Sequence, residues 1–438
     1  MRSQNYRIVT FGCKVNQHDS AALAQILEAR GWQPAAGTSP DLVLVNTCTV
    51  TARADQEARQ IIRRLHREQT QAALVVTGCY AQRAPAEVAA LPGVTGVLGN
   101  QEKSRLGEFL DALAGGQGFL EVGSFASGGT FAPLFPRRFP GHTRAFLKIQ
   151  EGCNHGCAYC IVPEVRGRSR SLPPGEVETA LADLAAAGFA EVVLTGIDLG
   201  QYGRDLRPPE SLAGLLRRLA AQPFPCRLRL SSLEPQEVSQ ELINALEALP
   251  EVCPHFHLPL QSGSARVLAA MGRPYTPEHF RELARKLLAR FPEAALGLDV
   301  LVGFPGESPE DIAATYELVE SLPVAYLHVF PFSPRPGTPA AMLRPLPAPE
   351  VRRRAAWLRE LGRRKRAAFY QAQVGKVGEV LVERPAGRPG WLVGLSRNYL
   401  RVLLPGPPAW VNRRLPVRFL RMQGELMEGE VLKSEGKG

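Results

Sequence analysis

Cys153, Cys157 and Cys160 stand in the stretch Glu151-Gly152-Cys153-Asn154-His155-Gly156-Cys157-Ala158-Tyr159-Cys160, a C-x3-C-x2-C triplet that offers three thiolates and no fourth. A structural zinc site closes its shell with four protein ligands, and a purely electron-carrying iron-sulfur cluster also takes four cysteines. Three ligands leave one position open, so the chemistry expected here is that of a metal centre that binds something else. Gly152 and Gly156 permit the tight backbone such a loop needs. The competing reading is a zinc site completed by His155 or by a remote ligand.

Cys13, Cys48 and Cys79 are far apart in sequence but placed alike, each two or three residues after a short apolar run: Arg7 to Phe11, Asp41 to Val45, and Ala73 to Thr77. In a parallel sheet the carboxyl ends of such runs share one edge, so three cysteines can converge without a local motif. A second three-ligand cluster with an open iron is the sharper expectation; three unrelated buried thiols is the plain one. Cys226 and Cys253 lie outside both sets and read as buried structural thiols.

The elements that must position these residues fall into three groups. Over residues 1–115 strand-like runs alternate with helical segments at Ser20 to Arg30, Arg53 to Arg67 and Pro85 to Leu91, which predicts a parallel α/β domain. Residues 116–141, rich in Gly, Pro, Ser and Phe, with Gly128-Gly129 among them, read as a linker. Over 142–370 six strand candidates alternate with helices: Phe146 to Ile149, Glu191 to Thr195, Arg227 to Leu230, Phe256 to Leu260, Leu296 to Val302 and Ala325 to Val329. Six is short of the eight in a closed barrel and predicts an incomplete (βα)6, TIM-like one. Its last helix, Pro349 to Tyr370, carries Arg363-Arg364-Lys365-Arg366, read equally as a solvated face or a polyanion contact. Residues 371–438 change to short alternating strands with Gly and Pro turns, a small β-barrel.

The first triplet follows the first strand of the barrel, where parallel α/β folds hold their ligands. Gly196, Asp198, Ser231, Gln261 and Asp299 lie at or near other strand ends and are candidate grips on a cofactor or base, whereas His255 and His257 read as barrel-interior residues. Gly303-Phe304-Pro305-Gly306 reads as a strand-ending turn.

Across 438 residues the net charge is +10 and eight cysteines are too sparse for a disulfide scaffold. The charge points to a polyanionic partner, and no apolar run reaches the ~20 residues that span a bilayer. A cytoplasmic protein is expected, with no membrane association. From Val374 to Gly438 eleven Lys or Arg face six Asp or Glu, a difference of +5, which suits phosphate contacts to RNA. Trp391, Tyr399 and Trp410 are available for stacking on bases or for the barrel core.

The cysteine triplet with Tyr159 before its last member resembles the signature of the radical S-adenosylmethionine (SAM) enzymes. The resemblance narrows at Gly12-Cys13-Lys14-Val15-Asn16-Gln17, Asn46-Thr47-Cys48-Thr49-Val50, Thr77-Gly78-Cys79-Tyr80-Ala81-Gln82, Leu258-Pro259-Leu260-Gln261-Ser262-Gly263 and Gly303-Phe304-Pro305-Gly306-Glu307, which look like the methylthiotransferases. The C-terminal barrel is similar to the TRAM domain, an RNA-binding module. This resemblance implies two 4Fe-4S clusters, one on Cys153, Cys157 and Cys160 and one on Cys13, Cys48 and Cys79, with SAM chelated by the open iron of the first. It implies a tRNA substrate and a reductant such as flavodoxin or ferredoxin. It also implies SAM cleavage to a 5′-deoxyadenosyl radical, hydrogen removal from C2 of a modified adenine, sulfur supplied at the second cluster, and a methyl group from a second SAM.

Lys14-Val15-Asn16-Gln17 looks most like the branch acting on N6-threonylcarbamoyladenosine at position 37 of tRNA. Isopentenyladenosine enzymes and the enzyme that modifies an aspartate of a ribosomal protein share both triads. A non-catalytic RNA-binding protein with structural metal sites is the reading from another class.

Overall fold

The computed structural model describes residues 4–37, 39–125, 131, 133–221 and 224–432. Gly128-Gly129 of the expected linker and the terminal charges Lys433, Glu435 and Lys437 lie outside them. The N-terminal unit is a parallel sheet of β1 (Asn5–Thr10), β2 (Gln33–Pro34), β3 (Leu42–Thr47), β4 (Ala73–Gly78), β5 (Val94–Leu98) and β6 (Phe119–Glu121) in the order β2-β1-β3-β4-β5-β6. Every residue of β3 is buried, which explains its unbroken Leu-Val-Leu-Val run: helices cover both faces. The helix Ala52–Glu68 starts where the Thr51 side chain accepts the Ala54 N–H. The helix Lys14–Ala29 begins six residues before the predicted Ser20, because its first turns bury Asn16, His18 and Asp19, polar residues that apolar periodicity passes over.

The central unit holds β7 (Arg144–Lys148), a short antiparallel pair β8 (Gln150–Glu151) and β9 (Arg170–Ser171), then β10 (Glu191–Thr195), β11 (Arg227–Leu230), β12 (His255–Gln261), β13 (Ala295–Val302) and β14 (Tyr326–Pro331). β7, β10 and β11 form one parallel sheet and β12, β13 and β14 another; a single parallel bridge, Leu228 to Val252, links them. Six barrel strands are thus present, as expected. One continuous core of Val, Leu and Ile fills the space between them and the outer helices. The helices Gln240–Glu247 and Ala265–Ala270, of eight and six residues, have no counterpart in the sequence expectation, being about two turns long.

The helix Ala348–Gln371 leads to a closed barrel of β15 (Val377–Pro385), β16 (Trp391–Ser396), β17 (Arg401–Pro405), β18 (Arg414–Gln423) and β19 (Leu426–Val431). β19, with Glu428-Gly429-Glu430 in it, lacks the apolar run of a strand and escaped the sequence reading. Much of the Arg363–Arg366 run is internally engaged: Arg364 meets Tyr316 and Glu320, Lys365 reaches the Leu322 carbonyl, and Arg366 pairs with Glu425.

The units are joined by buried charge. Arg227 and Arg229 both pair with Glu191, at 2.6 and 2.8 Å, and donate onward to carbonyls of Leu395, Ser396 and Arg397 in the C-terminal barrel. Asp55, beside the Cys48 loop, accepts Arg335 from beyond β14 at 2.6 Å and Arg83 at 3.0 Å. Arg335 is 2 % exposed at its side chain, so Asp55→Ala leaves a guanidinium buried without its counter-charge. The variant is expected to lose about 3–5 kcal/mol in denaturant unfolding; a loss under about 1 kcal/mol would show that this contact does not join the units.

Candidate functional site

The loop carrying Cys153, Cys157 and Cys160 is pinned at both ends. Gly152 has φ +77°, and a Cβ there would come 2.1 Å from the Arg168 carbonyl oxygen. Cys153 donates its N–H to the Gly167 carbonyl at 3.0 Å, and Ala158 donates to Met271 at 2.9 Å. Buried Gln150 locks the rest: its amide donates to the Gly152 carbonyl at 2.7 Å and to Ser169 Oγ at 2.9 Å, while its oxygen accepts the Asp198 N–H at 2.8 Å. Gly196 packs on that same side chain, where a Cβ would lie 2.8 Å from Gln150 Oε1. The Tyr159 hydroxyl accepts Arg273 at 2.7 Å, and Arg273 pairs with Glu234.

Burial raises all three thiols, Cys160 to about 11, and the Asp198 carboxylate adds to the effect at Cys153. Three thiolates so enclosed need a cation among them, which fits a metal cluster and not a free nucleophile. His155 stands beside Cys153 and Asp198, with one ligand atom of each within 4.8 Å of the others. Its Nε2 lies 3.0 Å from Asp198 and 3.4 Å from Glu237, contacts that push the imidazole up to about 10. Asp198 Oδ1, Gln236 Oε1 and Ser231 Oγ are buried beside this loop or at the strand end facing it, with no hydrogen-bond partner among the described residues. A ligand carrying amino and hydroxyl groups would satisfy them.

Cys13, Cys48 and Cys79 follow β1, β3 and β4, three adjacent strands. Gly12, at φ +88°, lets the Cys13 turn lie against Cys48: a Cβ at that position would be 2.8 Å from Cys48 Cβ. Burial, then the neighbouring Cys79, raises the Cys48 thiol to about 12. The turn at Cys13 thus lies against Cys48, and Cys13 and Cys79 both lie near enough to act on its thiol. Cys79 packs on Ile161 and Val165, and Ile161 directly follows Cys160. The short helix Val162–Arg166 therefore has Cys160 just before its start and Cys79 on its flank. Arg166 points Nε at Cys79 Sγ over 3.3 Å, and Asn100 donates to the Val165 carbonyl at 2.7 Å.

Arg166 also belongs to a buried ionic knot that sequence reasoning missed. Asp19 accepts Lys103 and Lys148, each at 2.7 Å, and Arg166 at 3.3 Å; Glu151 pairs with Arg166 and Lys148. Lys103, Lys148 and Arg166, with Arg170 4.0 Å from Glu151, outnumber the two carboxylates, an excess of positive charge beside Cys79. No periodicity marks these residues; the only signal was polar residues inside predicted strands and helices.

Ser231 sits just past β11, and Gln261 ends β12 with φ +63° beside a bulge. Tyr399 turns inward and stacks on His255 at 4.0 Å between ring centres, while Trp391 lies under Arg388 and Trp410 packs on the small barrel's core. Cys226 and Cys253 are buried, as expected.

Residues 147–319 match the Radical SAM superfamily, and residues 5–99 match the family described as Uncharacterized protein family UPF0004. The chain is 35% identical over 431 residues to the Bacillus subtilis threonylcarbamoyladenosine tRNA methylthiotransferase MtaB, covering 97% of this chain and 95% of that protein. It belongs to the radical SAM methylthiotransferase family. Another member, the tRNA-2-methylthio-N(6)-dimethylallyladenosine synthase of Pelotomaculum thermopropionicum, is 36% identical over 94% of each chain. Among solved structures, the radical SAM methyltransferase TsrM of Kitasatospora setae superposes with a TM-score of 0.57 over 78% of this chain and 77% of that one, at 20% identity, a likeness of fold. Membership makes the chain an enzyme that uses SAM and a 4Fe-4S cluster. No helix among the described residues is long and apolar enough to cross a membrane.

Proposed function

We propose that this enzyme converts N6-threonylcarbamoyladenosine at position 37 of tRNA to its 2-methylthio derivative. The observation that carries the reading is that Cys79, of one three-cysteine set, packs on Ile161 and Val165 directly after Cys160 of the other, within a chain that aligns over 97% of its length with relatives named threonylcarbamoyladenosine tRNA methylthiotransferase. Cys153, Cys157 and Cys160 hold one 4Fe-4S cluster and Cys13, Cys48 and Cys79 a second. When bound, these groups supply a reducing electron for SAM cleavage and a site for sulfur. Ser231, with its unsatisfied hydroxyl, and Gly196 and Gln261 at neighbouring strand ends face the SAM molecule. Asp198 stands ready to accept a hydrogen bond on Oδ1. Gln150 and Gly152 fix the loop that would hold the first cluster.

The units 1–115, 142–370 and 371–438 divide the labour among sulfur site, radical site and RNA-binding barrel, with 116–141 as connector. The C-terminal barrel keeps Arg401, Arg418 and Arg421 on its outer surface for phosphates, and a flavodoxin- or ferredoxin-like protein in the cytoplasm supplies the electrons. The radical acts where acid-base groups could not, since the C2–H bond has no readily acidic proton.

Mass spectrometry of tRNA nucleosides from a strain lacking this gene is the test. The 2-methylthio derivative of threonylcarbamoyladenosine should disappear and its unthiolated parent accumulate. Loss of the isopentenyl derivative, or a mass change on a ribosomal protein alone, would assign the enzyme to another substrate.

A further inference from the structure

The strands β12, β13 and β14 turn a row of polar side chains into the barrel that no step above uses. His255 Nε2 and His257 Nδ1 both meet the Tyr326 hydroxyl, at 2.7 and 3.0 Å. His257 Nε2 lies 3.0 Å from Asp299 Oδ1, and His328 Nδ1 lies 3.2 Å from the same oxygen. The ladder depends on Gly297: a Cβ there would come 2.0 Å from the Tyr326 ring, so only glycine lets the tyrosine lie across β13 and reach both histidines. At its base the ladder is sealed by Tyr399, stacked on His255.

Exposure rises steadily along the ladder. The side chains of His257, Asp299 and His328 are 10 %, 24 % and 54 % exposed. His328 is thus the open end, on the edge strand of its sheet, and the next inward residue on that strand, Phe330, is 45 % exposed with its ring edge-on to His328. An exposed aromatic beside a hydrogen-bonding group, here His328 held by Asp299 and flanked by the rings of His257 and Tyr326, is the pairing that unstacked bases find on RNA-binding proteins. The lumen nearby is cationic as well as polar. Lys14 lies among Arg229 and Arg144, whose own carboxylates are Glu191 and Glu383.

The family contains members named for two N6 groups of opposite character. Threonylcarbamoyl carries a urea, a hydroxyl and a carboxylate, whereas dimethylallyl is wholly apolar. An apolar group laid against His328 and Asp299 would strip both of water and give nothing back. We infer that His328, oriented by Asp299 and His257, is the residue that hydrogen-bonds the polar N6 group of the target adenine, with Phe330 stacking on the base. His328 is in this account a specificity determinant, an assignment that rests on the proposed threonylcarbamoyl substrate.

The test uses the full chain with its clusters reconstituted anaerobically, as wild type, His328→Phe and His328→Gln, on tRNA bearing either threonylcarbamoyladenosine or isopentenyladenosine. His328→Phe should lower kcat/KM on the threonylcarbamoyl substrate by at least about tenfold, mostly through KM, as loss of a hydrogen bond to a charged or strongly polar partner does. His328→Gln, which keeps a donor, should recover most of that loss. Formation of 5′-deoxyadenosine without tRNA should be the same in all three proteins. A His328→Phe enzyme within about twofold of wild type, or one that fails equally at SAM cleavage, would overturn the inference. So would a stoichiometric divalent ion, found by elemental analysis of wild type and lost in His328→Phe, since His257, Asp299 and His328 would then be metal ligands. Wild type that prefers isopentenyladenosine would instead overturn the substrate reading itself, whatever the variant does.

Discussion

Cys157→Ala is expected to end SAM cleavage. The loop offers three sulfurs, and its remaining polar neighbours are already committed: His155 to Asp198 and Glu237, Tyr159 to Arg273, Asn154 to the Ser169 N–H. His155 and Asp198 stand beside Cys153, but an imidazole or a carboxylate is a harder donor than the lost thiolate, so two thiolates do not keep a cluster with one iron free for SAM. Formation of 5′-deoxyadenosine with a chemical reductant should fall by more than about 10³-fold, because what is removed is the reacting centre and not a helper of it. The thiol is half-buried and makes no side-chain hydrogen bond among the described residues, so the fold should lose only on the order of 1 kcal/mol. Wild-type rates of 5′-deoxyadenosine formation from this variant would remove the metal site from Cys153, Cys157 and Cys160.

Cys48→Ala should separate the two halves of the reaction. It follows β3 of the N-terminal sheet, and none of the backbone contacts that hold Cys153, Cys157 or Cys160 passes through it. SAM cleavage should therefore persist within about twofold, while methylthiolated nucleoside falls below detection, a loss again of about 10³-fold or more. Iron content should fall by one cluster per chain. Methylthiolated tRNA formed by the purified variant would mean that the second triad does not hold the sulfur site.

The two triads were differently legible. The first is written in ten consecutive residues, and spacing alone announced its open position. The second appears only if the runs before Cys13, Cys48 and Cys79 are read as parallel neighbours, and β1, β3 and β4 are indeed adjacent. What the sequence hid was the polar interior. Asn16, His18 and Asp19 interrupt the apolar pattern of their helix and concealed its first turn; Lys148, Glu151 and Arg166 look like surface residues until they are found buried against one another. A buried ionic knot leaves no periodic trace, since each member is balanced by a partner from a distant segment, here up to 147 residues away. The ladder from His255 to His328 was half visible: alternation on β12 marked two histidines as inward-facing, but Asp299, Tyr326 and His328 join them through strand register, which no local pattern encodes.

The helix Val162–Arg166 is five residues long, about 7–8 Å at 1.5 Å per residue. It works as a ruler. Because Cys160 precedes it and Cys79, Asn100 and Asp19 grip its flank and end, the gap between the two thiol sets is set by a rigid peg and not by the swing of one unit on another. Parting the N-terminal sheet from the barrel would draw that peg out and separate one set from the other, while each stayed assembled within its own unit. A nucleotide must then arrive through a doorway that leaves this seam shut, and the chain can admit a bulky guest repeatedly without recalibrating the distance over which its chemistry runs.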